Sequence, residues 1–91
     1  MYNFSLTQEA KEDLYRIYDF GVHKFGENQA DKYFMLLHEC FHKIAANPWM
    51  FPIDTKHKDI DRYCVCGVET VYFNVKVDEV IIVTIIGRQD F

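Results

Sequence analysis

The feature that most constrains this 91-residue chain is a change of hydrophobic period at Asn47-Pro48. Before it, apolar residues recur at helical spacing: Ala10, Leu14, Ile17 and Gly21, extended by Tyr18 and Phe25, and then Ala30, Tyr33, Phe34, Leu37, Cys40, Phe41 and Ile44. Such i, i+3/i+4 spacing puts each set on one face of a helix. Thr7 is placed to N-cap the first helix, with Glu9, Glu12 and Asp13 near the positive end of its dipole. Gly26 ends it, and the short joint Gly26-Glu27-Asn28 predicts an antiparallel helical hairpin. After Pro48 the period falls to two. Ile60 to Cys66 alternates, Gly67 turns the chain, and Val71, Phe73 and Val75 alternate with Thr70, Tyr72 and Asn74. Asp78-Glu79 forms a second turn into VIIVTII, which does not alternate and is therefore expected to be a central strand covered on both faces. With YNFSL as a short first strand and Trp49 to about Asp59 as the longest loop, the order is β-α-α-β-β-β. The expected fold is α+β, a single domain over residues 1–91 in which the helical hairpin packs on a mostly antiparallel sheet.

Composition narrows the function. Hydrophobic residues make up 49% of the chain and aromatics 16%, a surplus of large rings that a core this small cannot wholly enclose, so a partner surface is expected. The net charge of −4 and the pI near 5.4 argue against direct nucleic-acid binding, which draws on basic patches to displace counterions from phosphates. The longest apolar run, Val80 to Ile86 with one Thr, is too short to cross a bilayer, and no charged-then-apolar leader precedes it. Three cysteines are an odd number, which argues against a closed disulfide framework and for a reducing cytoplasm.

Several short motifs invite a chemical reading. HECFH, His38 to His42, spells the zinc-protease pattern, in which both His must face a cleft with a third ligand beyond. With Leu37 at the centre of the buried face and about 100° per residue, His38 falls on the flank, His42 further round and Glu39 close to the opposite side. The motif is therefore expected to face water or a partner rather than a cleft within the domain, and no metal or other cofactor is expected. Cys64-Val65-Cys66 turns both sulfurs to one strand face, but no second pair completes a tetrahedral site and Cys40 lies on a separate helix, so buried, inert thiols are expected. Trp49, Met50, Phe51 and Pro52 form an apolar knot that either folds back over the core or docks a partner. Arg16 reads as a solvated-face residue of the first helix.

In order along the chain, LTQEAKEDLYRIYDF, FGENQADKYFMLL, AANP, DRYCVCGVETVYFNV and VIIVTIIGRQDF resemble the ParE branch of the RelE/ParE toxin superfamily over nearly the whole sequence. An acidic helix start, an F-G-x-x-Q-A-x-x-Y block, N-P, a strand arginine, V-Y-F and a terminal G-R-x-D follow one another as in that family. The resemblance implies a toxin of a bacterial type II toxin–antitoxin system, of the kind associated with plasmid stabilization. Two activities occur in the superfamily. RelE-like members are ribosome-dependent mRNA endonucleases, whose chemistry needs cations on the scissile phosphate and an acid–base pair. ParE-like members trap DNA gyrase on cleaved DNA and need no catalytic group. Laid on the ribonuclease pattern, this chain has Ile60 and Arg62 where two catalytic lysines are expected. It has Glu69 and Gln89 where two arginines are expected, and nothing beyond Phe91 for the terminal tyrosine. A carboxylate at Glu69 would repel the phosphate that a guanidinium attracts, a change of several kcal/mol, on the order of 4 per charge pair at 4 Å and an effective dielectric of about 20.

The expectation is thus a gyrase inhibitor that is not an enzyme and that works in the cytoplasm. Target-binding residues carried over from the family are Arg88, Gln89, Asp90 and Phe91, with Arg62 added. Trp49, Met50 and Phe51 are the expected antitoxin contacts. A cognate ParD-like antitoxin should wrap an amphipathic helix and an added strand over the toxin in a hetero-oligomer. The alternatives are a degenerate RelE-like mRNA endonuclease and an inactive relic serving only in a repressor complex.

Overall fold

In a computed structural model, described for residues 2–87, the chain forms β1 (Asn3–Leu6), α1 (Gln8–Phe25), α2 (Glu27–Ala46), a 3-10 turn (Pro48–Met50), β2 (Arg62–Cys66), β3 (Glu69–Val75) and β4 (Glu79–Gly87). The expected α+β order is observed. Thr7 caps α1 as predicted, its Oγ1 accepting the Ala10 amide at 3.1 Å. Gly26, at φ 91°, is the single residue between the two helices, a backbone angle that L side chains rarely adopt. The helices pack closely here: a Cβ on Gly21 would meet the Ala30 Cβ at 3.3 Å.

The four strands lie in the order β1-β4-β3-β2, with β1 parallel to β4 and the other two pairs antiparallel. Between sheet and helices lies one core. Leu37, Phe41 and Ile44 of α2 meet Val71 and Phe73 of β3 and Val80, Ile82 and Ile85 of β4, all fully buried. Each such side chain contributes about 1.5–3 kcal/mol by leaving water.

The central strand departs from expectation in an informative way. β4 is central, but only one of its faces is covered: Ile81 and Val83 are half-buried and Ile86 is exposed. VIIVTII lacks simple alternation because the β3–β4 register shifts, Tyr72 facing Thr84 while Phe73 faces Ile82. The bulge switches phase, so Val80 and Ile82 point inward before it and Ile85 and Gly87 after it. Helix α1 secures the irregularity. The buried Asp13 carboxylate accepts from the Thr84 hydroxyl at 2.7 Å and the Ile85 amide at 3.0 Å, and the Thr7 hydroxyl donates to the Val83 carbonyl at 2.7 Å. Arg16, on the exposed side, donates to the other Asp13 oxygen at 3.1 Å.

The thiol expectation is corrected. Cys40 and Cys66 form a disulfide that ties α2 to β2, and Cys64 alone stays a buried free thiol. Both halves face inward as their periods predicted. What sequence distance concealed is that α2 lies directly on the inner face of β2. An odd cysteine count excludes pairing of all three, not of two.

Candidate functional site

The two helical stripes are covered over only half their length. In α1 the buried residues are Ala10, Asp13 and Leu14; further along the same helix Ile17 and Gly21 are half-buried, and Phe20 and Phe25 are 53% and 64% exposed. Helix α2 shows the reverse order. Ala30 is buried against Gly21, but Tyr33 and Phe34 near the start of the helix are half-buried and Leu36 is exposed, whereas Leu37, Cys40, Phe41 and Ile44 are buried. The uncovered halves meet at the Gly26 end of the hairpin.

There they form a groove of about 800 Å³ between α1, α2 and the β2–β3 turn. Its surface is mostly apolar, from Ile17, Phe20, Phe25, Tyr33, Leu36 and Val68, while Arg16, Lys32, Glu39 and Glu69 supply charge. Concave, apolar and sparsely charged is the character of a site that takes an amphipathic partner.

One wall is held by Tyr33. Its hydroxyl donates to the Glu69 carboxylate at 3.0 Å and accepts the Val68 amide at 3.2 Å. Burial, followed by the charge of Glu69, pushes the phenol up to about 12. Gly67 makes this approach possible: at φ 61° it turns the strands, and a Cβ there would stand 2.8 Å from the Tyr33 oxygen. Tyr18, also on the groove, donates to Asp31 at 2.6 Å, and that hydrogen bond raises its pKa to about 12.

The residues expected to contact gyrase and those expected to contact antitoxin are partly one patch. Arg62 Nη1 donates to the Phe51 carbonyl at 2.7 Å and the Trp49 carbonyl at 3.4 Å, and its guanidinium carbon lies 5.2 Å from the centre of the Trp49 ring. Trp49 Nε1 donates to the Tyr2 hydroxyl at 2.9 Å. Within the knot, Phe51 turns inward against Phe73, whereas Trp49 and Met50 are exposed. Arg62 thus fastens the knot to β2. Arg88, Gln89, Asp90 and Phe91 lie outside the described residues.

His38 is half-buried, edge-on to the rings of Phe34 and Phe41, and burial followed by the proximity of His42 lowers its pKa. His42 is exposed against Phe4, and Glu39 lies on the groove. Among the described residues no three His, Cys, Asp or Glu side chains gather as a metal-holding group, and no helix is long and apolar enough to cross a membrane.

Phe20, Leu36 and Val68 were not singled out by period, since Phe20 and Leu36 fall beside their helices' stripes and Val68 sits in a turn. The available signal was the aromatic surplus, which called for a partner without saying where.

Comparison with known proteins agrees with this architecture. The family model described as the ParE toxin of the type II toxin–antitoxin system, parDE, matches residues 4–90. Among solved structures, the chromosomal ParDE TA system from P. aeruginosa superposes with a TM-score of 0.82 at 22% identity, covering 96% of each chain, a likeness of fold. No curated protein matches significantly in sequence. From its strand–hairpin–sheet order to its family match over nearly every residue, the chain belongs to the ParE toxins of type II toxin–antitoxin systems.

Proposed function

We propose that the groove receives an amphipathic helix of a cognate ParD-like antitoxin. We propose further that the toxin, when free, acts in the cytoplasm by binding DNA gyrase and stabilising its cleaved-DNA complex, without catalysis of its own. The observation that carries the first half is that both helical stripes stop being covered at the same place. An apolar-faced helix laid there would complete the missing layer over Ile17, Phe20, Phe25 and Leu36. An added strand also has an edge to join. β2 ends the sheet, and although the Tyr63 amide is taken by the Pro52 carbonyl at 3.1 Å, the Cys64–Cys66 end lies beyond that contact, with Val65 57% exposed.

The second half is supported by family membership and by the shortage of cations. Of the described positions that match the ribonuclease pattern, only Arg62 is cationic, and its guanidinium is engaged by the Trp49 and Phe51 carbonyls. Glu69 is a buried carboxylate bonded to Tyr33. The test is a gyrase supercoiling and cleavage assay with the purified toxin. Accumulation of cleaved DNA that antitoxin reverses is expected, while codon-specific cuts by primer extension on translating ribosomes, with gyrase unaffected, would instead establish the endonuclease.

A further inference from the structure

The disulfide joins two elements that carry groove walls, although neither of its cysteines lines the groove itself. Cys40 adjoins Glu39 and follows Leu36 by one helical turn, and Cys66 adjoins the turn that carries Val68 and Glu69. It is therefore the covalent tie between the helical wall of the groove and its hairpin wall. The hairpin wall also meets α2 through the Tyr33 hydroxyl, which donates to the Glu69 carboxylate and accepts the Val68 amide, and through Cys64 and Cys66, which share one core cluster with Leu37 and Phe41.

We infer that the Cys40–Cys66 disulfide is a redox control on antitoxin affinity, the oxidised toxin holding the groove walls in register for the antitoxin helix and the reduced toxin binding it more weakly. This rests on the docking of antitoxin in the groove proposed above.

The physical reason is preorganisation. A wall already fixed in its bound position loses little freedom when the partner arrives, whereas a wall free to shift must be ordered at the expense of binding energy. Reduction also acts directly, because two thiols need van der Waals separation where the disulfide holds a covalent bond, so Cys40 and Cys66 must draw apart. The step is balanced by a thiol or dithiol reductant. It delivers two electrons and two protons, leaves as its own disulfide, and gives the Cys40 and Cys66 thiols. Cys64 is not a competing partner in this exchange: burial raises its pKa, keeping the thiol protonated and a poor nucleophile. Linkage requires the converse as well, so bound antitoxin must protect the disulfide by the same factor that oxidation strengthens binding.

The experiment uses the full-length toxin and the antitoxin encoded with it, separated from the purified complex. Alkylation in denaturant under non-reducing conditions should label one cysteine, Cys64, and after reduction three; labelling of all three in the air-oxidised protein overturns the proposal. Titration of oxidised and dithiothreitol-reduced toxin with antitoxin should give an affinity at least about tenfold weaker in the reduced state, or 1.4 kcal/mol. A Cys40→Ala/Cys66→Ala double variant should lose the redox response and bind like reduced protein. Circular dichroism should show the reduced toxin as fully folded as the oxidised toxin at the titration temperature, and a weaker affinity that appears only together with unfolding overturns the proposal. Leu36→Glu, on the groove wall, should weaken binding in both redox states. Equal affinities in the two states with Leu36→Glu still harmful would overturn the redox control and leave the docking intact. Leu36→Glu without effect in either state would overturn the docking, and the redox control with it.

Discussion

The two halves of the helical hairpin are built from the same repeating stripe and meet different fates. Where α1 carries Ala10 and Leu14 and α2 carries Leu37, Phe41 and Ile44, the sheet closes over them. Where they carry Ile17, Gly21 and Phe25, and Tyr33 and Phe34, the stripe runs on into an open groove. Amphipathicity says which face of a helix wants to leave water. It does not say whether the chain itself supplies the cover, and the uncovered half is the surface on which the antitoxin helix is proposed to dock.

The sharpest way to break this comparison is to truncate one aromatic in each half. Phe41→Ala, in the covered half, should cost the free toxin about 4 kcal/mol, a large share of the roughly 5–15 kcal/mol that holds a domain folded. Phe25→Ala, in the open half, should change its stability by less than about 0.5 kcal/mol but cost the antitoxin complex about 2 kcal/mol. Chemical denaturation of the free toxin and titration with antitoxin measure the two, and equal stability losses would erase the distinction.

Next in size is the tie between the halves. Reducing Cys40–Cys66 opens a loop with a sequence separation of 26, which should lower stability by about 3.5 kcal/mol on the chain-entropy scale. Denaturation with and without dithiothreitol reads it directly. An unchanged midpoint would mean that the reduced, unfolded chain is already constrained.

Tyr33→Phe probes the groove wall more gently. The ring stays, while the hydroxyl that bonds Glu69 and receives the Val68 amide is removed, at an expected cost of about 1.5 kcal/mol. In the wild type a spectrophotometric titration should show two tyrosines, Tyr18 and Tyr33, ionising near pH 12, and the amplitude of that phase should fall by half in the variant.

The smallest effect is predicted at His38. Its folded pKa lies below the ordinary 6.5, so the unfolded chain binds the proton more readily. Its contribution to stability is full above pH 6.5 and is lost as pH falls through the depressed folded value. A His38→Gln variant should show a flatter thermal-midpoint profile across that window, and identical profiles would remove His38 as the cause.

Much of the fold was legible because its determinants are local. Thr7, Gly26, Pro48 and Gly67 punctuate the chain by backbone chemistry that acts within a few residues, and the stripes and alternations between them assign the inward faces. The bulge in β4 was not legible. Ile, Val and Thr suit either face of a strand, and the register shift between Tyr72 and Phe73 is secured by Asp13 and Thr7 from a helix some seventy residues away. The site was legible in kind, a partner surface called for by surplus aromatics, but not in place: Trp49 and Met50 are exposed as a docking knot would be, yet the larger concavity is at Phe20, Phe25 and Leu36. The engagement of Arg62 was not legible either, because its acceptors are backbone carbonyls, which no sequence pattern displays.

By itself, then, the sequence determined the order of helices and strands, the inward face of each except β4, and the toxin family, since period, caps and motif order are written within short windows. Only the tertiary structure decided which inward faces would find cover, which two of three cysteines would meet, and where the phase of β4 would slip. Those outcomes depend on which distant segments come to lie against each other, and contact in space is a property of the packed whole that spacing along the chain does not encode.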